Sequence, residues 1–307
     1  MGEVIAAAKV KSITVYPIKS CRGISVPHAP VTPTGFRWDR QWMVVNANGR
    51  MYTQRVEPKL ALVEIELPSE AFSDNWEPSS NSYMVIRAPG MDLLKVSLSK
   101  PRTVVDHVSV WQWSGSALDE GADAAEWFSK YIGKASRLVR FDSASQTRST
   151  DPNFARGYKT MFSDQFPFLL ISQESLDALN NILKEPIPID RFRPNILVEG
   201  CKPFSEDLWK EIKIDTLTFC GVRLCSRCKI PTIDQQTTIA SPEPTETLKE
   251  FRSDKILLPN KKPQGQVFMG QHLVWKDCNG GGSSKVVRLG DPVCVLHQLS
   301  STAEAAA

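Results

Sequence analysis

Short apolar runs rich in β-branched residues recur along this chain and restrict it to a mainly β fold. Residues 10–18 (VKSITVYPI) alternate in polarity, and residues 42–54 (WMVVNANGRMYTQ) hold two such runs around Asn48-Gly49. Because Asn-Gly favours tight turns between strands, we predict a β-hairpin there. Further strand-like runs, separated by Pro, Gly and Ser, occupy residues 61–68, 82–89, 93–98 and 102–113. The first half is therefore predicted to be mainly β.

Three segments depart from this pattern and show helical spacing. Apolar side chains in residues 119–134 recur at helical intervals, and Gly133 is a typical C-terminal stop. A second helix is predicted over 173–184, capped by Ser172, and a third over 244–252. The apolar face predicted for the second helix consists of Leu176, Leu179, Ile182 and Leu183. Strands are predicted at 166–172, 195–200, 211–225, 272–277 and 285–296.

The chain is long enough for two domains. It has 307 residues, and residues 141–160 are polar, contain Pro and Gly, and lack periodic apolar positions. We place the boundary near residue 150, which gives domains at 8–150 and 151–300. The predicted fold class is α/β, mainly β with helices packed against the strands. The alanine-rich C-terminal tail is expected to be disordered.

Composition excludes several classes of protein. Hydrophobic residues make up 41% and charged residues 23%, which is ordinary for a packed globular protein, and a net charge of +3 gives no reason to predict nucleic-acid binding. The first residues resemble neither a signal peptide nor a membrane-spanning segment, so we expect a soluble, cytoplasmic protein. Seven cysteines without a secretory signal favour reduced thiols.

The most informative local feature is Cys225-Ser226-Arg227-Cys228, a CxxC motif between a strand-like run and a proline-containing turn. A structural zinc site normally has four N or S ligands, and no second CxxC or paired histidine motif is present. A thioredoxin-like redox pair needs a following helix, which Pro231, Thr232 and Ile233 oppose. Two alternatives remain open: unreactive loop cysteines, or one cysteine that ligates a soft metal beside an arginine favouring its thiolate.

A thiolate-bound metal in an anionic cofactor such as a molybdenum-pterin would need further cationic contacts. Candidates are Lys19 with Ser20, Arg40 and Arg193, each in a turn-like or strand-end context. Taken singly, each is more simply explained as a solvated surface charge. Together they form a set suited to a phosphate-bearing ligand.

An ordered series of motifs along almost the whole chain resembles one known family. The motifs are YPIKSCRG, WDRQWMVVNANGRMYTQRVEPKLALV, FPFLLIS, DRFRPNILVEG, CSRCKIPTIDQQT, GQHLVW and LGDPVCVL. This series is similar to MOSC proteins with an N-terminal MOSC-associated β-barrel, in particular the amidoxime-reducing component group. The resemblance implies an N-terminal β-barrel-like domain followed by a MOSC β-barrel domain that binds a molybdenum cofactor, Mo-molybdopterin.

The resemblance also assigns residues. It implies that Cys228, rather than Cys225, is the metal ligand, and that Asp234 lies near the metal with a catalytic role. Two positions depart from the family pattern: Gln165-Phe166 replaces a polar pair, and His272 replaces an aromatic hydroxyl, so a side-chain contact at Phe166 is lost and His272 is a replacement donor. The implied cofactor contacts are Lys19, Ser20, Arg40, Gln165, Phe166, Arg193, Asn195, Ser226, Arg227, Cys228 and His272.

The implied activity is reduction of N-hydroxylated compounds such as amidoximes, hydroxylamines and N-hydroxylated bases, with nitrite as a further substrate. The resemblance also implies cytochrome b5 and NADH-cytochrome b5 reductase as the source of electrons. The chain shows neither a G-x-G-x-x-G fingerprint nor a C-x-x-C-H haem motif, so we expect an external electron donor. We expect a monomer without a transmembrane segment, and the family adds the mitochondrial outer membrane as a location. The alternatives are a molybdenum cofactor carrier and a sulfur-transfer partner of a pyridoxal-phosphate enzyme, although the chain has no room for a pyridoxal-phosphate domain.

Overall fold

Strands dominate the fold, as the sequence predicts, with helices packed on their outer faces. The computed structural model describes residues 6–100, 102–276 and 285–306. Its strands are β1 (Ala8–Val15), β2 (Ile24–Val26), β3 (His28–Thr32), β4 (Gly35–Phe36), β5 (Trp42–Asn46), β6 (Glu64–Glu66), β7 (Tyr83–Arg87), β8 (Leu94–Ser97), β9 (Thr103–Val110), β10 (Trp113–Asp119), β11 (Ser136–Phe141), β12 (Arg148–Ser149), β13 (Lys159–Thr160), β14 (Phe168–Ser172), β15 (Ile196–Glu199), β16 (Trp209–Ile214), β17 (Leu217–Ser226), β18 (Phe268–Trp275), β19 (Val286–Arg288) and β20 (Pro292–Gln298).

Within the described residues, the helices are fewer than the strands. They are α1 (Ala122–Ile132), α2 (Pro152–Ala155), α3 (Gln173–Asn180), α4 (Thr245–Phe251), α5 (Asp254–Leu257) and α6 (Thr302–Ala306). Single 3-10 turns cover Pro58–Leu62, Ser69–Phe72, Ile189–Arg191, Ser205–Leu208 and Ile230–Thr232. No helix within the described residues combines the length and hydropathy needed to cross a bilayer.

A closed barrel forms the larger structural unit. Its strands follow the order β15, β14, β18, β17, β16, β20 and β1, and β1 pairs back to β15 to close the ring. The pairing of β1 is antiparallel on both sides, with Ile13 opposite Ile196 and Ala8 opposite Val293. The strand at the start of the chain is therefore part of a barrel built mainly from the second half. Where the domain boundary lies stays a prediction.

Close strand packing explains one glycine of the barrel. Gly270 in β18 has a φ of 81°, and a Cβ there would lie 2.6 Å from Ile171 Cγ1 and 2.9 Å from the Leu170 carbonyl oxygen of β14. A larger residue would be strained and would also collide with the neighbouring strand.

A second sheet, in the order β5-β11-β10-β9, carries its own apolar cluster around Met43, Val139 and Phe162. Helix α1 covers the adjoining part of the main core and buries Trp127 and Phe128. This helix is confirmed, and it ends at the predicted residue, Gly133, which takes the left-handed conformation at φ 80°.

Four predictions of local structure are corrected, the first only in one arm. The hairpin predicted around Asn48-Gly49 forms, with Tyr52 N donating to the Val44 carbonyl at 2.8 Å, but its second arm is reduced to a single bridge between Met51 and Val45, because the chain turns at Thr53. The run 102–113 instead begins a hairpin of two strands, β9 and β10. Helix α3 stops at Asn180, and Ile182 is 54% exposed rather than part of an apolar face.

The fourth correction concerns the C-terminal tail. Residues 302–306 form α6 instead of a disordered segment. Ala305 is 5% exposed and packs with Leu224, Leu257 and Phe268. Because alanine is small and a strong helix former, it lets the short helix approach the barrel closely.

Candidate functional site

A cavity of about 460 Å³ lies where the barrel meets loops from the first half of the chain. Its walls come from segments distant in sequence: the turn after β1, the turn after β9, the loop before β14, the segment before β15 and the end of β17. The sequence-predicted residues that line it are Lys19, Ser20, Arg40, Gln165, Phe166, Arg193, Asn195, Ser226, Arg227, Cys228 and His272. The structure thus brings together all of the predicted site residues except Asp234.

Three of these residues have strained backbones. Ser20, Arg40 and Arg193 are in the left-handed region, with φ values of 69°, 45° and 56°. Such conformations of residues other than glycine cost about 1–3 kcal/mol each and persist where the surroundings fix them, often at functional sites. All three strained residues line the same cavity.

Arg40 and Arg193 share one aromatic support. Each guanidinium lies 4.3 Å from the ring centroid of Tyr16, which is buried between them. Arg40 Nη1 also donates to Asn195 Oδ1 at 2.9 Å and pairs with Asp39 at 2.7 Å. Because the Asn195 amide is already bonded to Arg40 and Asp39, its clearest role is to hold Arg40 in position.

Lys19 is almost fully buried, at 4% exposure, and still carries ionic contacts. Its Nζ donates to the Phe162 carbonyl at 2.7 Å and pairs with Asp164. Burial lowers the pKa of Lys19 to about 8, although Asp164 acts in the opposite direction. Burial alone would raise the pKa of Asp164, but Lys19 and Arg55 outweigh it and hold that pKa well below its usual range.

The loop that carries Asp164 is held by Arg148. Its Nη1 donates to the Met161 carbonyl at 2.8 Å and its Nη2 to the Asp164 carbonyl at 2.9 Å. Burial lowers the pKa of Arg148 to about 10, with Asp164 opposing. The polar stretch between the two halves of the chain therefore orders one wall of the cavity.

The two sulfurs of the CxxC motif have different partners. Arg227 Nη1 donates to Cys225 Sγ at 2.9 Å, whereas Cys228 Sγ accepts from Arg55 Nη2 at 3.0 Å and from Ile230 N at 3.4 Å. Burial would raise the pKa of Cys225, but the positive charges of Arg227 and His272 lower it to about 6. Arg227, which precedes Cys228 in the sequence, therefore contacts Cys225 instead.

His272 and Phe166 form the apolar side of the cavity. Their ring centroids are 5.0 Å apart, and Phe166 packs against Ala155 and Val274. His272 is 8% exposed. Gln165, the preceding residue, is exposed at the mouth.

Asp234 lies outside the cavity. Its Oδ1 accepts from Gln236 N at 2.9 Å and Thr237 N at 2.8 Å, and its Oδ2 pairs with Arg191 at 3.0 Å. The Arg191 ion pair and these turn contacts explain its presence structurally, and a catalytic role for it stays a prediction. Its neighbour Gln235 reaches the site, at 3.4 Å from Arg193 Nη1.

Comparison with known proteins places the chain in a family. The MOSC N-terminal beta barrel domain matches residues 7–135, and the MOSC domain matches residues 157–294. Mitochondrial amidoxime reducing component 2 of Rattus norvegicus is 35% identical over 300 residues, which cover 92% of this chain and 82% of that protein. The chain belongs to the MOSC-domain family, within the amidoxime reducing component group.

Two further relatives extend this result. Mitochondrial amidoxime-reducing component 1 of Homo sapiens is 31% identical over 301 residues, covering 94% of this MOSC-domain chain and 83% of that protein. Molybdenum cofactor sulfurase of Oryza sativa subsp. japonica is 30% identical over 302 residues, covering 90% of this chain but 34% of the sulfurase.

Sequence reasoning missed several residues that line the MOSC-domain cavity, three of which contact one another. Arg55, Trp111 and Asp164 line it together with the predicted set. Arg55 lies within the TQRVEP part of a motif used for the family resemblance, and Asp164 directly precedes Gln165. Trp111 had no such signal, since its position depends on the turn between β9 and β10.

The donor set of the cavity fits an anionic ligand that carries its own metal ligands. Four buried donor or acceptor atoms on its walls have no hydrogen-bond partner among the described residues: Arg55 Nη1, Ser163 Oγ, Arg227 Nε and His272 Nδ1. Within the same residues, no group of three His, Cys, Asp or Glu side chains is arranged to hold a metal ion. A metal here would therefore combine few protein ligands, such as a cysteine thiolate, with ligands from a bound organic group.

Proposed function

We propose that this chain is a molybdenum cofactor-dependent reductase of N-hydroxylated compounds. The observation that carries the proposal is the cavity itself, in which one half-exposed cysteine, Cys228, faces a set of cations and unpartnered buried donors. Arginine and lysine are suited to phosphate, and a thiolate is suited to a soft or high-valent metal. The relatives named amidoxime reducing components support the same activity.

Different residues would hold the metal and the anionic part of the cofactor. Cys228 supplies the thiolate ligand, and Lys19, Arg40, Arg193 and Arg227 hold the anionic part of Mo-molybdopterin. The cofactor supplies two-electron redox chemistry at the metal, and the protein determines its access and surroundings.

The protein also controls the proton and the solvent near the substrate. Reduction of an amidoxime to an amidine consumes two electrons and two protons and releases water. Lys19 Nζ and the His272 ring are the titratable nitrogens on the wall that can hold a proton, and Phe166 keeps water from one side of the ring. Hydroxylamines, N-hydroxylated bases and nitrite are further proposed substrates.

Electrons are proposed to come from an external donor, cytochrome b5, reduced by NADH-cytochrome b5 reductase. The mitochondrial names of the relatives support a mitochondrial location for this chain. We further propose that the protein acts as a monomer.

Metal analysis combined with a pterin assay tests the proposal. The purified chain is expected to contain equimolar molybdenum and oxidisable pterin, and to reduce benzamidoxime only when cytochrome b5, its reductase and NADH are all present. Stoichiometric zinc without pterin would refute the cofactor, and rapid NADH oxidation by the chain alone would refute the external donor.

A second candidate function follows from the rice sulfurase, whose matched third resembles almost this whole chain. The chain would then carry the molybdenum cofactor, or accept sulfur for it, without reducing substrates. Full cofactor content with no benzamidoxime turnover in the complete electron-transfer system would favour this alternative.

A further inference from the structure

A guanidinium from the first half of the chain contacts the sulfur of Cys228. Arg55 Nη2 lies 3.0 Å from Cys228 Sγ, although the two residues are 173 positions apart. The Arg55 side chain is 19% exposed. This contact is separate from the one between Arg227 and Cys225, so each sulfur has its own arginine.

Arg55 is itself held on two sides. Asp164 Oδ2 accepts from its Nη2 at 3.1 Å, and its guanidinium lies 4.7 Å from the ring centroid of Trp111. Trp111 Nε1 donates to Asp164 Oδ1 at 3.2 Å, and Lys19 pairs with the same carboxylate. Because the planar guanidinium is fixed by a stacked ring and by a carboxylate, its direction toward the sulfur is set before any ligand arrives.

The second terminal nitrogen of Arg55, Nη1, is available to bind a ligand. Arg55 Nη1 is buried and has no hydrogen-bond partner among the described residues, while the residue lines the cavity. An unpaired buried donor is unfavourable unless something binds it. Arg55 therefore has one nitrogen that serves both the sulfur and the carboxylate, and another that is left without a partner among the described residues.

We propose that Arg55 is a positioning residue that holds the Cys228 sulfur in its reactive, ligand-ready orientation, and that Asp164 positions Arg55. The metal-binding role of Cys228 rests on the proposed function, whereas the contact between Arg55 and Cys228 is observed directly in the chain. The two ideas can therefore fail separately.

The test measures alkylation of Cys228 by iodoacetamide in the cofactor-free full-length chain near neutral pH, followed by mass spectrometry. Because Arg55 holds the Cys228 sulfur in one orientation at the cavity, loss of the guanidinium in Arg55→Gln is expected to slow alkylation of Cys228 by about tenfold. Cys225 in the same molecule is the internal reference and should keep its rate. A purely structural role for Arg55 would open the loop and speed the reaction, which is the opposite sign.

Variants of matched chemistry complete the design. Arg55→Lys keeps the charge but cannot donate to Asp164 and Cys228 as a planar fork, so partial rescue is expected. Asp164→Asn should slow the reaction in the same direction by a smaller factor. Arg87→Gln is the control, because Arg87 pairs with Glu66 on the exposed surface at 2.7 Å.

The outcomes decide the proposal. Unchanged or faster alkylation of Cys228 in Arg55→Gln overturns the proposal. If Arg55→Gln does not fold, unchanged or faster alkylation of Cys228 in both Arg55→Lys and Asp164→Asn overturns it. In cofactor-loaded protein, Arg55→Gln is expected to shift the g-values of the Mo(V) resonance without emptying the site. Absence of molybdenum from the wild-type chain would contradict the proposed function, yet the alkylation result would still stand for or against Arg55.

Discussion

At the scale of single residues, the site pairs each cysteine of the CxxC motif with a different guanidinium. Arg227 lies at Cys225 and Arg55 at Cys228. Cys225 is 8% exposed and Cys228 is half-buried, so the two thiols differ in access as well as in partner. The more accessible sulfur at the cavity is therefore that of Cys228, whereas Cys225 is buried in the cavity wall.

The first prediction concerns the choice of ligand. Cys228→Ser is expected to abolish reduction of benzamidoxime, because a hydroxyl is a poor replacement for a thiolate on molybdenum. Cys225→Ser should keep most of the activity. Turnover and molybdenum content of both variants check this, and the reverse order of the two would show that Cys225 is the ligand.

The second prediction concerns the ionisation of Cys225. Burial opposes it, but Arg227 and His272 bring its pKa to about 6, so the thiolate should already predominate at neutral pH. In a Cys228→Ser background, the alkylation rate of Cys225 is expected to rise with pH around a midpoint near 6. Arg227→Gln should move that midpoint upward, because it removes a stabilising positive charge. A midpoint of about 8.5 in both proteins, as in an unperturbed thiol, would contradict the prediction.

Sequence motifs predicted about half of the residues that line the cavity, and they did not predict the contact between Arg55 and Cys228. Lys19, Arg40, Arg193 and Cys228 could be matched because each lies in a local motif. The contact of Arg55 with Cys228 spans 173 positions and depends on how the two halves meet. Local pattern carries no information about such a pairing, which is why Arg55 was not among the predicted residues.

At the scale of secondary structure, element type was easier to predict than element ends. Helix α1 was predicted from its apolar spacing and stops at Gly133 as expected. Helix α3 ends earlier than predicted because the Asn180 amide bonds both the N and the O of Ile187 at 3.0 Å and draws the chain into a loop. A side-chain bond of this kind is decided by the fold and is not visible in apolar periodicity.

The third prediction tests the end of α1. Gly133 has φ 80°, and a Cβ there meets nothing within 4 Å. Gly133→Ala should therefore lower the free energy of unfolding by about 1 kcal/mol through backbone strain alone. Gly133→Asn should lose less, since asparagine tolerates the left-handed region. Denaturant unfolding of both variants measures the difference, and equal stability of Ala and Gly at this position would rule out the strain.

At the scale of the whole molecule, the two halves of the chain share one barrel and one cavity. Strand β1 lies between β20 and β15, with Ala8 and Lys9 paired to β20 and residues from Lys9 to Ile13 paired to β15. The fold class and the succession of the two family domains were correctly predicted. That the first strand belongs to the barrel was not, because strand pairing between distant segments leaves no mark in local alternation.

The fourth prediction follows from this sharing. Residues 151–307 expressed alone are expected to aggregate and to show no cooperative thermal transition, because β15 and β20 would present unpaired edges. Fusing residues 6–26 to that fragment should restore part of the transition, whereas a scrambled version of the same segment should not. A monomeric fragment with a sharp transition of its own would show that the barrel closes without β1.

The position of β1 in the barrel also determines when the barrel can close during translation. β1 is made long before its barrel partners β15 and β20, which end at Glu199 and Gln298. At about 5–20 residues per second, β1 waits roughly 15–60 s for β20 during translation. During that time β1 can pair with β2 and, once it is made, with β15, but its pairing with β20 stays incomplete, which makes it a natural client for chaperones on the nascent chain. The barrel can therefore close only after its last strand has been synthesised.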